Sequence, residues 1–71
     1  MNHFYKVSEF TRYEEEVIGY FQENEFDVAD ALAIEVYRDK TDYYKDDNSV
    51  QVIEIKFGLQ PAETIIRKYC G

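Results

Sequence analysis

The chain has 71 residues, of which 15 are acidic and 8 basic, so its formal net charge is −7 at neutral pH. This length predicts a single small acidic domain, residues 1–71, that buries only about 60% of the surface of its unfolded chain. No apolar run approaches the ~20 residues of a membrane span, and the N-terminal residues lack the features of a signal peptide. Because the only cysteine, Cys70, cannot form an internal disulfide, we expect a reducing, cytoplasmic location.

The N-terminal part of the chain predicts a short strand followed by a helix. Residues 3–7, HFYKV, are apolar enough to form a strand that pairs with a later one. Thr11 and Glu14 have the three-residue spacing of a helix capping box. The apolar residues that follow at helical spacings are Tyr13, Val17, Tyr20 and Phe21. This pattern predicts a helix that ends near Asn24.

A second helix is predicted from Asp27, because several alanines follow it and Asp30 stands three residues later. Its inward row is expected to contain Val28, Leu32 and Val36. Residues 33–38 also fit a half-buried strand, since apolar and other residues alternate there. In that alternative, residues 42–49, DYYKDDNS, form a hairpin loop.

The segment SVQVIEIKF, residues 49–57, is the best strand in the sequence because β-branched residues dominate it. Val50 and Val52 are expected on one face and Ile53, Ile55 and Phe57 on the other. This switch of the apolar positions indicates a bulge or burial on both faces. Gly58 ends the strand.

A last helix is predicted to begin at Pro61, a residue well suited to the first helical position. Its apolar stripe would comprise Ala62, Ile65, Ile66 and Tyr69. The expected fold class is therefore α+β, with helices packed on a small two- or three-stranded sheet. The element order would be β-α-α-β-α, or α-β-β-α if residues 33–38 form a strand.

Residue types that perform catalysis or hold cofactors are scarce. His3 is the only histidine, and a catalytic role for Cys70 would require a lowered thiol pKa. Residues 39–50 do not match an EF-hand, since tyrosine occupies its sixth position and valine its twelfth. The glycines are too scattered for a phosphate-binding loop. We expect no catalytic residue, metal or cofactor, and thus no enzyme, unless folding places His3 or Cys70 in a pocket with an acid.

Acidic residues are concentrated in one region: from Tyr13 through Tyr37 there are eight acids and no lysine or arginine. Proteins bind nucleic acids by neutralising phosphates, so this region argues against direct nucleic-acid binding. Carboxylates beside tyrosines instead suit a protein interface, because acids attract a basic surface and tyrosines pack well in interface cores. The residues predicted to bind a partner are Glu14, Glu15, Glu23, Glu25, Asp30, Tyr43 and Tyr44.

The leading functional hypothesis is a non-enzymatic binding module that docks a carboxylate-rich helical face on a basic protein surface. The partner could be a nucleic-acid-binding protein that the module inhibits as a nucleic-acid mimic, and in composition the chain resembles phage-encoded inhibitors. The alternative is an assembly module that forms a homodimer through exposed aromatics such as Phe4, Tyr5 or Phe26. The acids could also serve only as a solvated surface.

Overall fold

A computed structural model describes residues 2–44 and 47–70 of the chain. The elements in chain order are β1 (His3–Phe10), β2 (Glu15–Gln22), α1 (Phe26–Asp39), β3 (Ser49–Lys56) and β4 (Ala62–Tyr69). The strands form one antiparallel sheet with the spatial order β2-β1-β3-β4. Helix α1 packs on one face of this sheet. Within the described ranges, no helix combines the length and apolar character that crossing a membrane requires.

The predicted fold class, with helices packed on a small two- or three-stranded sheet, is wrong. The molecule is mostly a four-stranded antiparallel sheet with one short helix. Both predicted outer helices are strands, β2 and β4, so the order is β-β-α-β-β instead of β-α-α-β-α. The alternative order α-β-β-α is also wrong, because residues 33–38 lie inside α1.

The capping-box spacing of Thr11 and Glu14 belongs to the turn between β1 and β2. The backbone N–H of Glu14 donates to Thr11 Oγ1 at 3.2 Å, and the N–H of Thr11 donates to the Glu14 carbonyl at 2.9 Å. A capping box contains the same hydroxyl-to-amide bond at the same separation, so the sequence pattern fits both structures. The residues that follow, including Val17, Ile18 and Tyr20, favour a strand.

The predicted C-terminal helix is replaced by β4, which pairs with β3. Thr64, Ile65 and Ile66 are β-branched and have high strand propensity. The register places Ile65 opposite Ile53, and Arg67 opposite Val52, so Ile66 is an extra residue in a bulge. A bulge shifts the alternation of the strand, and the shifted pattern imitates the spacing of a helical stripe.

Helix α1 contacts the sheet through its smallest side chains. Ala29 and Ala33 are fully buried, whereas Val28, which was predicted to face inward, is 54% exposed. Leu32 and Val36 pack at the margin of the core. Small residues on the contact row allow the helix backbone to lie close to the sheet. Gly19 of β2 lies under the helix, since a Cβ there would lie 3.9 Å from Leu32 Cδ2 of α1 and 3.3 Å from the Phe21 ring on its own strand.

Alternating residues of the two central strands separate the faces of the sheet. Val7, Val50 and Val52 are fully buried beneath α1, as the predicted faces of residues 49–57 require. We call the opposite side the open face, because α1 does not cover it. From strand alternation and register, its residues on the central strands are Phe4, Lys6, Ser8, Phe10, Ser49, Gln51, Ile53 and Ile55.

The segment 42–49 contributes a buried anchor as well as a surface turn; Lys45 and Asp46 lie outside the described residues. Tyr44 is fully buried, and its hydroxyl donates to Glu9 Oε2 at 2.5 Å. Its ring stacks on Tyr37 of α1 with the centroids 5.8 Å apart. Tyr44 therefore joins the turn after α1 to β1, while Tyr43 is 44% exposed.

Replacing Tyr44 by Phe is expected to lower the free energy of unfolding by about 1–2 kcal/mol, because the Glu9 carboxylate loses its buried hydrogen-bond donor. Urea denaturation followed by circular dichroism would measure this change. Tyr43→Phe is the matched control, since the described residues show no hydrogen bond from its hydroxyl, and it should unfold as the wild type does. Equal losses in the two variants would contradict the anchoring role of Tyr44.

Alkaline pH should destabilise the wild type more than the Tyr44→Phe variant. Burial, together with the hydrogen bond to Glu9, raises the pKa of Tyr44 above its ordinary value of 10.0. The hydroxyl thus stays protonated in the folded chain but ionises in the unfolded chain, so its contribution is complete below about pH 10 and is lost as the pH rises further. The free energy of unfolding, measured by urea denaturation across this range, should fall less steeply in the variant. Equal slopes would contradict the prediction.

Candidate functional site

The residues predicted to bind a partner do not share one surface. Glu14 and Glu15 belong to the β1–β2 hairpin, whereas Glu23, Glu25 and Asp30 lie before or within the first turns of α1. The two tyrosines lie in the turn after α1. A common helical face cannot form, because residues 15–22 are a strand.

Five of these residues have structural contacts instead of a free carboxylate or hydroxyl: Glu15, described below, Glu23, whose Oε2 accepts from the backbone N–H of Asn2 at 3.2 Å, and three others. Asp30 Oδ1 accepts a hydrogen bond from the Tyr69 hydroxyl at 2.5 Å, which connects α1 to β4. Glu25 Oε1 accepts from the backbone N–H of Gln22 at 2.8 Å and closes the turn before α1. The third is Tyr44, described above. These acids and tyrosines therefore stabilise the fold, and their presence in the sequence does not require a binding partner.

Glu15 belongs to a charged cluster at the centre of the open face, which the sequence did not predict. The side chain of Lys6 is only 11% exposed, and its Nζ lies 2.9 Å from Glu15 Oε2 on β2. The same Nζ lies 3.2 Å from Glu63 Oε1 on β4. Ser8 Oγ donates to Glu15 Oε2 at 2.6 Å. We call Lys6, Ser8, Glu15 and Glu63 the Lys6 cluster; its carboxylates come from opposite edges of the sheet and meet at one ammonium.

The protonation states in this cluster follow from its contacts. Burial by itself would lower the pKa of Lys6, but the two carboxylates outweigh it and hold that pKa above its ordinary value of 10.5. The hydrogen bonds from Ser8 and Lys6 lower the pKa of Glu15 below 4.5. Lys6 is therefore a cation at neutral pH, and it cannot act as a nucleophile or general base.

Apolar side chains surround the Lys6 cluster on the open face. Phe4 contacts Tyr20 and Phe57, with ring centroids 6.0 Å and 5.2 Å apart. Tyr20 is 63% exposed and Phe57 57% exposed. Ile65, on the other side of Lys6, is 56% exposed and pairs with the nearly buried Ile53. Among the described elements none packs over Tyr20, Phe57 and Ile65, so the face combines exposed apolar area with a central ion cluster.

The charges of the open face balance. Its basic residues are Lys6 and Lys68, and its acids are Glu15 and Glu63. Lys68 belongs to this face because the strand register places it opposite Gln51 of β3. The chain as a whole carries −7, so the excess of negative charge lies elsewhere.

Part of this excess lies on the outward side of α1. Asp27, Glu35 and Asp39 are exposed and stand eight and four residues apart, which places them along one stripe of the helix. None of them forms an ion pair with a described residue. Arg38 is the basic residue of the last helical turn. We call Asp27, Glu35 and Asp39 the acidic helix surface.

The two residues considered for catalysis lie apart. His3 Nε2 is 3.2 Å from the Tyr5 hydroxyl, and its ring nitrogens lie 3.6 Å from Glu23 and 3.9 Å from Glu54. Cys70 is exposed and follows Tyr69, which pairs with Val50 at the other end of the sheet. His3 therefore has acids beside it but no described hydrogen bond to a serine, threonine or cysteine. Among the described residues, no group of three or more His, Cys, Asp or Glu side chains could hold a metal ion.

Comparison of the chain with protein families, with curated proteins and with solved structures finds no match.

Replacing Glu15 by Gln is expected to lower the free energy of unfolding at neutral pH by less than about 1 kcal/mol, because the Glu15 side chain is 32% exposed and solvent screens the pair. A lowered pKa in the folded state means that this contribution is present above about pH 4.5 and is lost as the pH falls further. The difference between wild type and variant, measured by urea denaturation, should therefore shrink at acidic pH. Glu14→Gln is the control; a pH-independent difference for Glu15→Gln would contradict the prediction.

Proposed function

We propose that this chain is a non-enzymatic protein-binding module that docks its acidic helix surface on a basic surface of a partner protein. The observation that supports the proposal is the separation of charge: the carboxylates of the open face are paired with Lys6, whereas Asp27, Glu35 and Asp39 are exposed and have no ion pair with a described residue. Carboxylates that are already solvated and unpaired can exchange water for a partner's lysines or arginines without breaking an internal contact.

The proposal changes the contact residues predicted from the sequence. Glu15 serves the Lys6 cluster, Asp30 binds Tyr69, and Tyr44 is buried. Glu14 lies in the β1–β2 hairpin and is not part of the proposed surface. Glu23, which contacts Asn2, and Glu25, which closes the turn before α1, flank the start of the helix, and the exposed Tyr43 lies in the turn after its end. They can extend the contact beyond the acidic helix surface at either end of the helix.

The charges of the acidic helix surface would act mainly on the rate at which the module meets its partner. Complementary charges mainly accelerate encounter and discriminate against wrong partners, and this effect weakens as salt screens the charges. A basic nucleic-acid-binding protein has the required surface, and the module would compete with the nucleic acid for it. As part of the same proposal the module acts in the cytoplasm, where the single exposed Cys70 stays reduced.

The proposal is tested by neutralising two carboxylates of the acidic helix surface. The variant Asp27→Asn/Glu35→Gln should capture less of a basic protein from a lysate of the source cell than the wild type does, as quantified by mass spectrometry. Titration calorimetry with the purified partner should then show a dissociation constant about tenfold larger than that of the wild type. Raising the salt concentration should weaken wild-type binding as well.

The matched control is Glu14→Gln/Glu16→Gln, which removes the same charge from two exposed residues of the β1–β2 hairpin. This control should bind nearly as the wild type does. Equal weakening by both double variants would show that only net charge matters, and would count against a defined surface. Binding that responds to neither salt nor substitution would also overturn the proposal.

A further inference from the structure

We propose that the open face of the sheet is a homodimer interface, through which two copies of this chain pack sheet against sheet. The open face carries exposed Tyr20, Phe57 and Ile65 around a nearly buried ion cluster. α1 covers only the opposite face. This inference does not depend on the acidic helix surface, which lies on the other side of the molecule.

The balanced charge of this face favours a second copy of the chain as its partner. Two copies of a chain with a net charge of −7 repel each other unless they meet through a neutral region. Since Lys6 and Lys68 balance Glu15 and Glu63, the open face is such a region. Packing through it also places the acidic helix surfaces on the two outer sides of the dimer, as far apart as the fold allows.

The size of the face is compatible with a weak dimer. Four strands of eight residues, at about 3.3 Å per residue and 4.8 Å between strands, give a flat footprint of roughly 450 Å². The centre of this footprint, at Lys6, Ser8 and Ile53, is already nearly buried in the monomer. The area that a second copy can cover therefore lies mainly at the exposed apolar rim and stays at or below the lower limit for specific interfaces, about 600 Å² per partner. We therefore expect a dissociation constant in the micromolar range.

The ion cluster at the centre does not oppose this packing. Burying a charge at an interface usually costs desolvation free energy. The Lys6 ammonium is already withdrawn from water in the monomer and holds two carboxylate partners. Most of its desolvation has therefore occurred during folding, and the second copy adds apolar contact around it.

The edges of the sheet favour face-to-face packing over extension by strand pairing. Both edge strands contain a register shift. The shift in β2 lies opposite Val7 and Ser8 of β1, and the shift in β4 lies opposite Val52 and Ile53 of β3. Bulges disrupt the ladder of free backbone groups that an added strand would need. The prediction that Phe4, Tyr5 or Phe26 mediates self-association is thus narrowed to Phe4, because Tyr5 and Phe26 pack together on the helix-covered face.

Sedimentation velocity of the purified full chain, from about 1 to 200 µM, tests this interface. The wild type should shift from monomer to dimer within that range. Ile65→Lys, which places an unpaired ammonium on the open face, should raise the dissociation constant at least about tenfold. Val28→Lys is the matched control, because Val28 is 54% exposed on α1 and Ile65 56% exposed on β4; it should change the constant less than about twofold.

Salt distinguishes this interface from the acidic docking proposal. The dimer should not weaken between about 50 and 500 mM salt, since its contact is apolar and neutral. The Asp27→Asn/Glu35→Gln variant should dimerise as the wild type does, so that failure of one proposal leaves the other intact.

Two results would overturn the dimer. One is a wild type that remains monomeric across the whole concentration range, even if a different protein binds the open face. The other is equal dissociation constants for Ile65→Lys and Val28→Lys. Circular dichroism should confirm that each variant is folded; if Ile65→Lys is not, Tyr20→Lys replaces it, because Tyr20 is 63% exposed on the open face.

Discussion

One helix of 14 residues covers one face of a four-stranded sheet, and the other features of the molecule follow from this constraint. The main hydrophobic cluster lies on the helix-covered face, where Ala29 and Ala33 approach the valines of β1 and β3. The second face has no layer of its own, so its apolar side chains remain exposed around Lys6. An uncovered face that carries exposed apolar side chains, here Tyr20, Phe57 and Ile65, favours association.

Polar side chains connect elements of the fold that the small hydrophobic core does not hold together by itself. Tyr44 joins the turn after α1 to Glu9 of β1, and Tyr69 joins β4 to Asp30 of α1. On the open face, Lys6 connects both edge strands to the centre of the sheet. The contacts of Tyr44, Tyr69 and Glu63 join residues 35, 39 and 57 positions apart, whereas Lys6 and Glu15 belong to one hairpin. Together they assign several acids and tyrosines to the stability of the fold, and these residues are therefore less available for a partner.

The candidate surfaces could be predicted only in part. The excess of carboxylates is a property of composition, and it holds in any fold. The distribution of these carboxylates in space depends on the fold, because the eight acids of residues 13–37 divide between β2, α1 and the connections beside them. The open face had one sequence signal: alternation in residues 3–10 places Phe4, Lys6, Ser8 and Phe10 on one side of a strand. No sequence pattern indicated the contact between Glu63 and Lys6, because the two residues are 57 positions apart in the chain.

By itself the sequence determined the central strand β3, whose β-branched residues leave little choice, the start of the alanine-containing helix near Asp27, and the acidic character of the chain. The second half of that helix stayed open, because residues 33–38 also fit a strand. The sequence could not determine the identity of residues 15–22 and 62–69. Their apolar residues fit a helical stripe and a bulged edge strand equally well, and only pairing with the neighbouring strands of the sheet selects between them. Tertiary structure also decided which charges meet, because an ion pair forms between atoms that are close in space, wherever their residues stand in the chain.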